Sequence, residues 1–192
     1  MAFDLPEAAH VTGIDISKVA IERLAARAAD DLRLQFEVMD AENLEFPVGS
    51  FDVVCGSGIL HHLDVKRSLA EIARVLSAEG SAIFLEPLGH NVFINWYRRM
   101  TPSMRSVDEH PLLMSDLQIA HQHFASVEVK FFHLMSLGAV GLRKWRIFEA
   151  ALGGLDAADA ALFSALPGFR KFAWMCVMVL GTPIRFSSSN PS

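Results

Sequence analysis

Along the first half of the chain, apolar residues switch several times between strand-like and helix-like spacing. His10 to Ile16 is strand-like and carries β-branched Val11, Thr12, Ile14 and Ile16. Ser17 is a good helix N-cap. Beyond it Ile21, Leu24, Ala25 and Ala28 fall at i, i+3, i+4 and i+7, one apolar helical stripe. Leu34, Phe36 and Val38 alternate with Gln35 and Glu37, which predicts a half-exposed strand at a sheet edge. Pro47, Gly49 and Ser50 signal a turn. Phe51 to Cys55 is apolar apart from Asp52, so a more central strand is expected there. Asp64 is placed to cap a helix whose stripe is Leu69, Ile72, Ala73 and Leu76 and which Gly80 should stop. Ser81 to Leu85 is again apolar and central. Strand and helix thus alternate, the pattern of a parallel sheet with right-handed crossovers.

The second half is less regular. Residues 86–115 mix aromatics, basic residues, prolines and turn formers over a length unusual for a connection. They read as a lid or insertion with some helix. Ser115 to His123 predicts a short helix, and Val127, Val129 and Phe131 alternate as a second edge strand. Leu134 to Leu166 is Ala/Leu-rich and helical, broken at Gly138, Gly141 and Gly153-Gly154. Trp174 to Leu180 is wholly apolar and should lie inside the sheet. The expected architecture is α/β and Rossmann-like: a mostly parallel sheet with helices on both faces and one antiparallel strand near the C-terminus. Residues 1–186 read as a single domain and 187–192 as a disordered tail.

Composition narrows the function classes. A net charge of −5 argues against nonspecific nucleic-acid binding. The chain is 52% hydrophobic with a mean hydropathy of +0.30, yet no apolar run reaches the ~18 residues of a membrane span. Cys55 and Cys176 lack metal or redox spacing and read as reduced core thiols of a cytoplasmic protein. His121 and His123 are two apart, which on a helix does not face one way, so even with Glu109 and His110 nearby no metal site is expected. Arg98 and Arg99 beside Trp96 and Tyr97 raise phosphate or membrane headgroups, against the plainer reading of a solvated helix face. A serine hydrolase is disfavoured, because Gly56-Ser57-Gly58 lacks the spacing of a nucleophile elbow.

Three segments in this order carry a family likeness: VTGIDIS, then MDAENLEFPVGSFDVVCGSGILHHL, then IARVLSAEGSAIFLEP. Over about residues 8–90 the chain resembles the class I S-adenosylmethionine-dependent methyltransferases, of the type 11-like methyltransferase domain. The resemblance implies S-adenosyl-L-methionine as cofactor and methyl transfer as activity. It places Asp15 with Ile16 at the ribose hydroxyls, and a carboxylate suits that diol because it offers two acceptor oxygens. It places Asp40 at the adenine amine and the Ala41 N–H at a ring nitrogen. Cys55, Gly56 and Ser57 would pass beside the methionine end of the cofactor. The plain alternatives are a second capping residue at Asp15 and a turn former at Asp40. His61 is the candidate general base, against a packing or capping histidine. Glu86, His90 and Asn91 are placed by position to face the acceptor. Phe93, Trp96 and Tyr97 favour a small-molecule or lipid-like acceptor over nucleic acid and leave peripheral membrane contact open. The rival reading is a noncatalytic binding or regulatory module on the same fold.

One departure stands out. The family begins with a strand and a glycine-rich loop about 20 residues before the ribose-binding acid. Only fourteen residues precede Asp15, and Gly13 is the one glycine among them. The first strand is therefore read as missing: the preferred explanation is an N-terminally shortened chain, with weak cofactor binding and impaired transfer as the expectation, and the alternatives are that the remaining strands close the gap or that a partner chain fills it.

Overall fold

The computed structural model describes residues 10–28, 31–102 and 110–185. The chain divides into two compact units, Met1–Phe46 and Pro47–Ser192.

In the first unit, β1 (Val11–Asp15) leads through α1 (Lys18–Arg27) to β2 (Leu34–Val38). The two strands pair in parallel from Val11 opposite Leu34 to Asp15 opposite Val38. Ser17 is the N-cap of α1, its hydroxyl accepting from the Ala20 N–H at 3.3 Å. Ile21 is the buried member of the predicted stripe. Gly13 sits opposite Phe36, and a Cβ there would lie 2.9 Å from the ring, so the aromatic occupies the space a side chain would need.

The second unit contains β3 (Phe51–Ser57), α2 (Val65–Val75), β4 (Leu76–Pro87), α3 (Val92–Met100), α4 (Met114–Ile119), β5 (Phe124–Phe132), α5 (Phe148–Ala165) and β6 (Met175–Pro183). The sheet order is β3-β4-β6-β5. β3 and β4 are parallel, and β6 runs antiparallel to both β4 and β5. The one antiparallel strand near the C-terminus is thus as expected, and it is interior, as its apolar sequence requires. β5 is the end strand its alternation predicted. β3, expected to be more central, is the other end strand of this sheet, paired with β4 alone.

One face of this sheet carries the core. Ala82, Phe84, Cys176, Met178 and Leu180 point to it, beneath Leu69, Ile72 and Ala73 of α2, Leu117 of α4 and Phe163 of α5. The opposite pleat positions behave differently: Val53, Ile83 and Leu85 are 59%, 43% and 37% exposed. Cys55 belongs to that exposed set, so the reading of Cys55 as a core thiol is corrected. The strand's two-residue period puts it on the face away from Val54 and Gly56.

Three further local readings change. α2 ends at Val75, with Leu76 already extended, and not at Gly80. α4 begins at Met114, one residue earlier than predicted, with Leu113 at its N-cap position. α5 runs unbroken through Gly153-Gly154. Those glycines cost helix stability, but Asp159 in the same helix accepts the N–H groups of Leu134, Met135 and Ser136 at 3.0, 2.8 and 3.1 Å. Of residues 86–115, the described part forms α3 and returns so that Leu88 bridges the buried Leu112. The predicted tail, 187–192, lies outside the described residues. No described helix is long and apolar enough to cross a membrane.

Candidate active site

In the first unit the structure brings Asp15 and Asp40 together at adjacent strand tips. Parallel pairing puts both carboxyl ends at the same edge, and the Met39 N–H donates to the Asp15 carbonyl at 3.1 Å. Each side chain closes a tight local turn. Asp15 Oδ1 accepts the Ser17 N–H at 2.7 Å, and Asp40 Oδ1 accepts the Glu42 N–H at 2.8 Å. For Asp40 this is the turn role named as its plain alternative; Asp15 binds the N–H of the N-cap residue itself, and both bonds orient the carboxylates, because each fixes one oxygen and leaves the other. Ile16 is 77% exposed beside Asp15, while Met39 and Leu44 are buried beside Asp40 and Ala41.

In the second unit the loop after β3 is organised by one buried carboxylate. Glu86, fully buried near the end of β4, accepts the N–H groups of Ile59 and Leu60 on Oε1, both at 2.9 Å. Its Oε2 lies 2.8 Å from His61 Nδ1. A carboxylate in this role only accepts, so Nδ1 is the donor of the pair, and in the neutral imidazole Nε2 is then the nitrogen with a lone pair. The His61 and His62 rings lie against each other with centroids 4.1 Å apart. Gly58 has a φ of +64°, which an L side chain rarely adopts, and its N–H donates to the Leu85 carbonyl at 2.8 Å. Gly56 is held by packing: a Cβ there would fall 2.8 Å from Ile59 and 2.9 Å from Phe84. Cys55 and Ser57 are exposed on the other pleat.

Two residues expected to face an acceptor do not. Glu86 has both oxygens engaged by the chain itself, and at 0% exposure it acts through the loop it holds. Asn91 is 1% exposed; its Oδ1 caps α3 through the Ile94 N–H at 3.0 Å, and its Nδ2 donates to the Phe172 carbonyl at 2.7 Å. His90 is half-buried and accepts weakly from the Met114 N–H at 3.4 Å.

Sequence reasoning missed the link between Glu86 and His61, since 25 residues separate them. It also missed a cleft of about 500 Å³ whose lining includes Asn95, Arg98, Arg99, His110 and Asp116. The cleft adjoins the His61 loop: the His110 N–H donates to the His61 carbonyl at 2.7 Å. Asp159 was missed as well, although an acid on the stripe Leu152, Leu155, Leu162 and Phe163 is a readable signal. Cys176 lies in the core, opposite Glu86 on the neighbouring strand. Burial, reinforced by the nearby Glu86 charge, pushes its thiol up to about 12.

Residues 2–84 match the model of the methyltransferase domain family. The resemblance found in the sequence is thus met by an independent match over its strongest part. Among curated relatives, the eEF1A lysine and N-terminal methyltransferase of Bos taurus is 30% identical over 189 residues, covering 86% of this chain and 26% of that protein. The chain therefore spans about a quarter of the length of that relative. Among solved structures, phosphoethanolamine N-methyltransferase 2 of Haemonchus contortus in complex with S-adenosyl-L-methionine matches with a TM-score of 0.59 at 20% identity, covering 91% of this chain and 44% of that one. The [4+2]-cyclase SpnF matches with a TM-score of 0.54 at 19% identity, covering 93% and 68%. These structural likenesses establish the mixed α/β, Rossmann-like methyltransferase fold.

Proposed function

We propose that this chain takes part in S-adenosylmethionine-dependent methyl transfer to a small-molecule or lipid-like acceptor. The observation that carries the reading is the pair Asp15 and Asp40, each turn-fixed through one oxygen at neighbouring tips of parallel strands. The donor chemistry fits: a nucleoside presents ribose hydroxyls and an exocyclic amine, and a carboxylate is the acceptor for both. Asp15 Oδ2 would accept from the ribose, Asp40 Oδ2 from the amine, and the Ala41 N–H would meet a ring nitrogen. When bound, the cofactor supplies a sulfonium methyl group open to in-line displacement.

The remaining roles belong to the second unit. His61, its Nδ1 tied to Glu86 and its Nε2 without a partner among the described residues, would take a proton from an acceptor hydroxyl or amine. Glu86 is the positioning residue for that imidazole and for the loop carrying it. Gly56 and Ser57 let the backbone leave β3 in a tight path toward Gly58. His90 would border the acceptor. The chain otherwise aligns the reactants and excludes water.

A second reading takes its support from the Bos taurus relative, whose name specifies a protein lysine and N-terminal acceptor.

The test is calorimetry with S-adenosylhomocysteine, titrated into the millimolar range that weak binding requires. Binding that falls tenfold or more on Asp15→Ala and on Asp40→Ala supports the assignment, since each removes a charge-assisted acceptor worth about 1.5–3 kcal/mol. Binding unaffected by both substitutions, or none at all, overturns it.

A further inference from the structure

We infer that the free edge of β5 is a docking groove for the C-terminal segment of a partner protein, taken up as an added strand with its terminal carboxylate at Arg170. The inference is independent of the methyl-transfer reading, since the groove lies within the second unit and uses none of the residues assigned a role above.

β5 ends the order β3-β4-β6-β5, so among the described residues it is hydrogen-bonded on one side only. An end strand turns every second N–H and C=O outward, where another chain can pair with them. Many such edges are bent away by a bulge, but this one is regular: from Ser126 opposite Gly181 to Phe132 opposite Met175 the register with β6 is unbroken. The edge borders a groove of about 340 Å³, lined by Val129 to Phe132 of the strand and by Phe163, Ser164 and Arg170 from α5 and the turn after it. The stretches that carry the lining, 124–132 and 148–172, are described throughout. The plainer account of Lys130 is an edge charge that discourages pairing; it leaves the groove beside that edge unexplained.

Four residues of edge span ~13 Å, room for about as many residues of an extended peptide. Phe131 and Phe163 meet edge to face, with ring centroids 6.4 Å apart, and supply an apolar surface for its side chains. Half-buried Arg170 donates from Nε to the Phe163 carbonyl at 2.9 Å, which fixes the guanidinium and leaves its Nη groups without a partner among the described residues. Lys130 adds a second positive charge, and no carboxylate is in the described lining. The neighbouring acids along the chain lie outside it: Asp159 accepts the Leu134, Met135 and Ser136 N–H groups, Asp156 Oδ1 lies 3.8 Å from His133 Nδ1, and Glu128 is exposed two residues before Lys130. A strand edge, an apolar wall and a guanidinium are together the complement of an extended chain that ends in a carboxylate. A chain terminus suits so short a groove better than an acidic side chain, because it meets the guanidinium without a further side chain being ordered.

The test uses the full chain and a library of short fluorescent peptides randomised toward the C-terminus, made once with free carboxylates and once as amides. Fluorescence anisotropy up to about 1 mM selects the binders, and NMR of the backbone amides locates them. Free-carboxylate peptides should bind about tenfold more tightly than their amides, shift the signals of Val129 to Phe132, and lose about tenfold in affinity on Arg170→Gln. Ser164→Glu brings a carboxylate into the groove from an exposed helix position and should weaken binding by a similar factor. That variant decides the matter where circular dichroism shows Arg170→Gln to be unfolded. The inference is overturned by a library without binders, by free and amidated peptides that bind equally, by shifts that leave β5 untouched, or by affinity unchanged in Ser164→Glu.

Discussion

Glu86 Oε2 lies 2.8 Å from His61 Nδ1, and the same carboxylate receives two consecutive backbone N–H groups of the loop that carries His61. One buried side chain on β4 thus sets both the path of the loop after β3 and the orientation of its imidazole. Glu86→Gln replaces one oxygen by an amide that can only donate, so an N–H of the loop or the imidazole loses its acceptor. A loss of about 2–4 kcal/mol is expected in urea unfolding, the range for breaking a buried, charge-assisted network. A change below about 0.5 kcal/mol, the size of an ordinary surface effect, would show the clamp to be idle.

Gly56 is required by volume. The missing Cβ site is 2.8 Å from Ile59 Cγ2 and 2.9 Å from Phe84 Cε1, both closer than side chains tolerate. Gly56→Ala should destabilise by about 1–3 kcal/mol through displaced neighbours. Gly138 has nothing within 4 Å of its Cβ position, so Gly138→Ala serves as the matched control. Equal midpoints for the two variants would contradict this packing account.

Asp159 joins α5 to the turn after β5 by accepting three successive backbone N–H groups, and it is 3% exposed. Asp159→Ala should cost about 2–4 kcal/mol, because buried donors are then left without acceptors. Asp159→Asn keeps one acceptor oxygen and should fall between. Hydrogen exchange at Leu134 to Ser136 locates the effect; protection there that survives Asp159→Ala would exclude the anchoring role.

The two cysteines should differ sharply toward an alkylating reagent at mildly alkaline pH. Cys55 is exposed on the open pleat of β3, whereas the Cys176 thiol is buried and pushed up to about 12. Since the thiolate is the nucleophile, mass spectrometry of the folded protein should find Cys55 modified and Cys176 intact, with both modified in urea. Early labelling of Cys176 without denaturant would show that the core opens there.

His123 gives the fold an acid-sensitive point. Burial first, and the Lys66 charge second, hold its pKa below the ordinary 6.5. The unfolded chain therefore takes up a proton near 6.5 while the folded chain resists until a lower pH. Stability from this group is complete above that value and declines as pH falls toward the folded pKa. Urea midpoints should drop between neutral and mildly acidic pH, and His123→Gln should flatten part of that slope. Parallel slopes for the two proteins would remove His123 as the cause.

Local pattern carried much of the architecture. β-Branched residues marked β1, period-two runs marked β2 and β5, the apolar run marked β6 as interior, and Ser17 and Asp64 were legible as caps because capping needs only neighbours in sequence. The likeness of Asp15 and Asp40 to cofactor-holding acids was also visible, since each follows a readable strand. Glycine signals misled where tertiary contacts outweighed them: α5 continues through Gly153-Gly154 because its far half is anchored through Asp159.

The amino-acid sequence by itself determined the alternation of strands and helices, their caps and the likeness to the methyltransferase domain family whose model residues 2–84 match, because these depend on side-chain period and neighbouring residues. Only the tertiary structure decided that Glu86 serves the His61 loop, that Asn91 is occupied as a cap, that Cys55 is exposed while Cys176 is sealed, and that Arg98, Arg99 and His110 share one cleft. Those relations depend on strand register and on contacts between residues far apart in the chain, and no local spacing encodes which side chain a fold will bring to meet another.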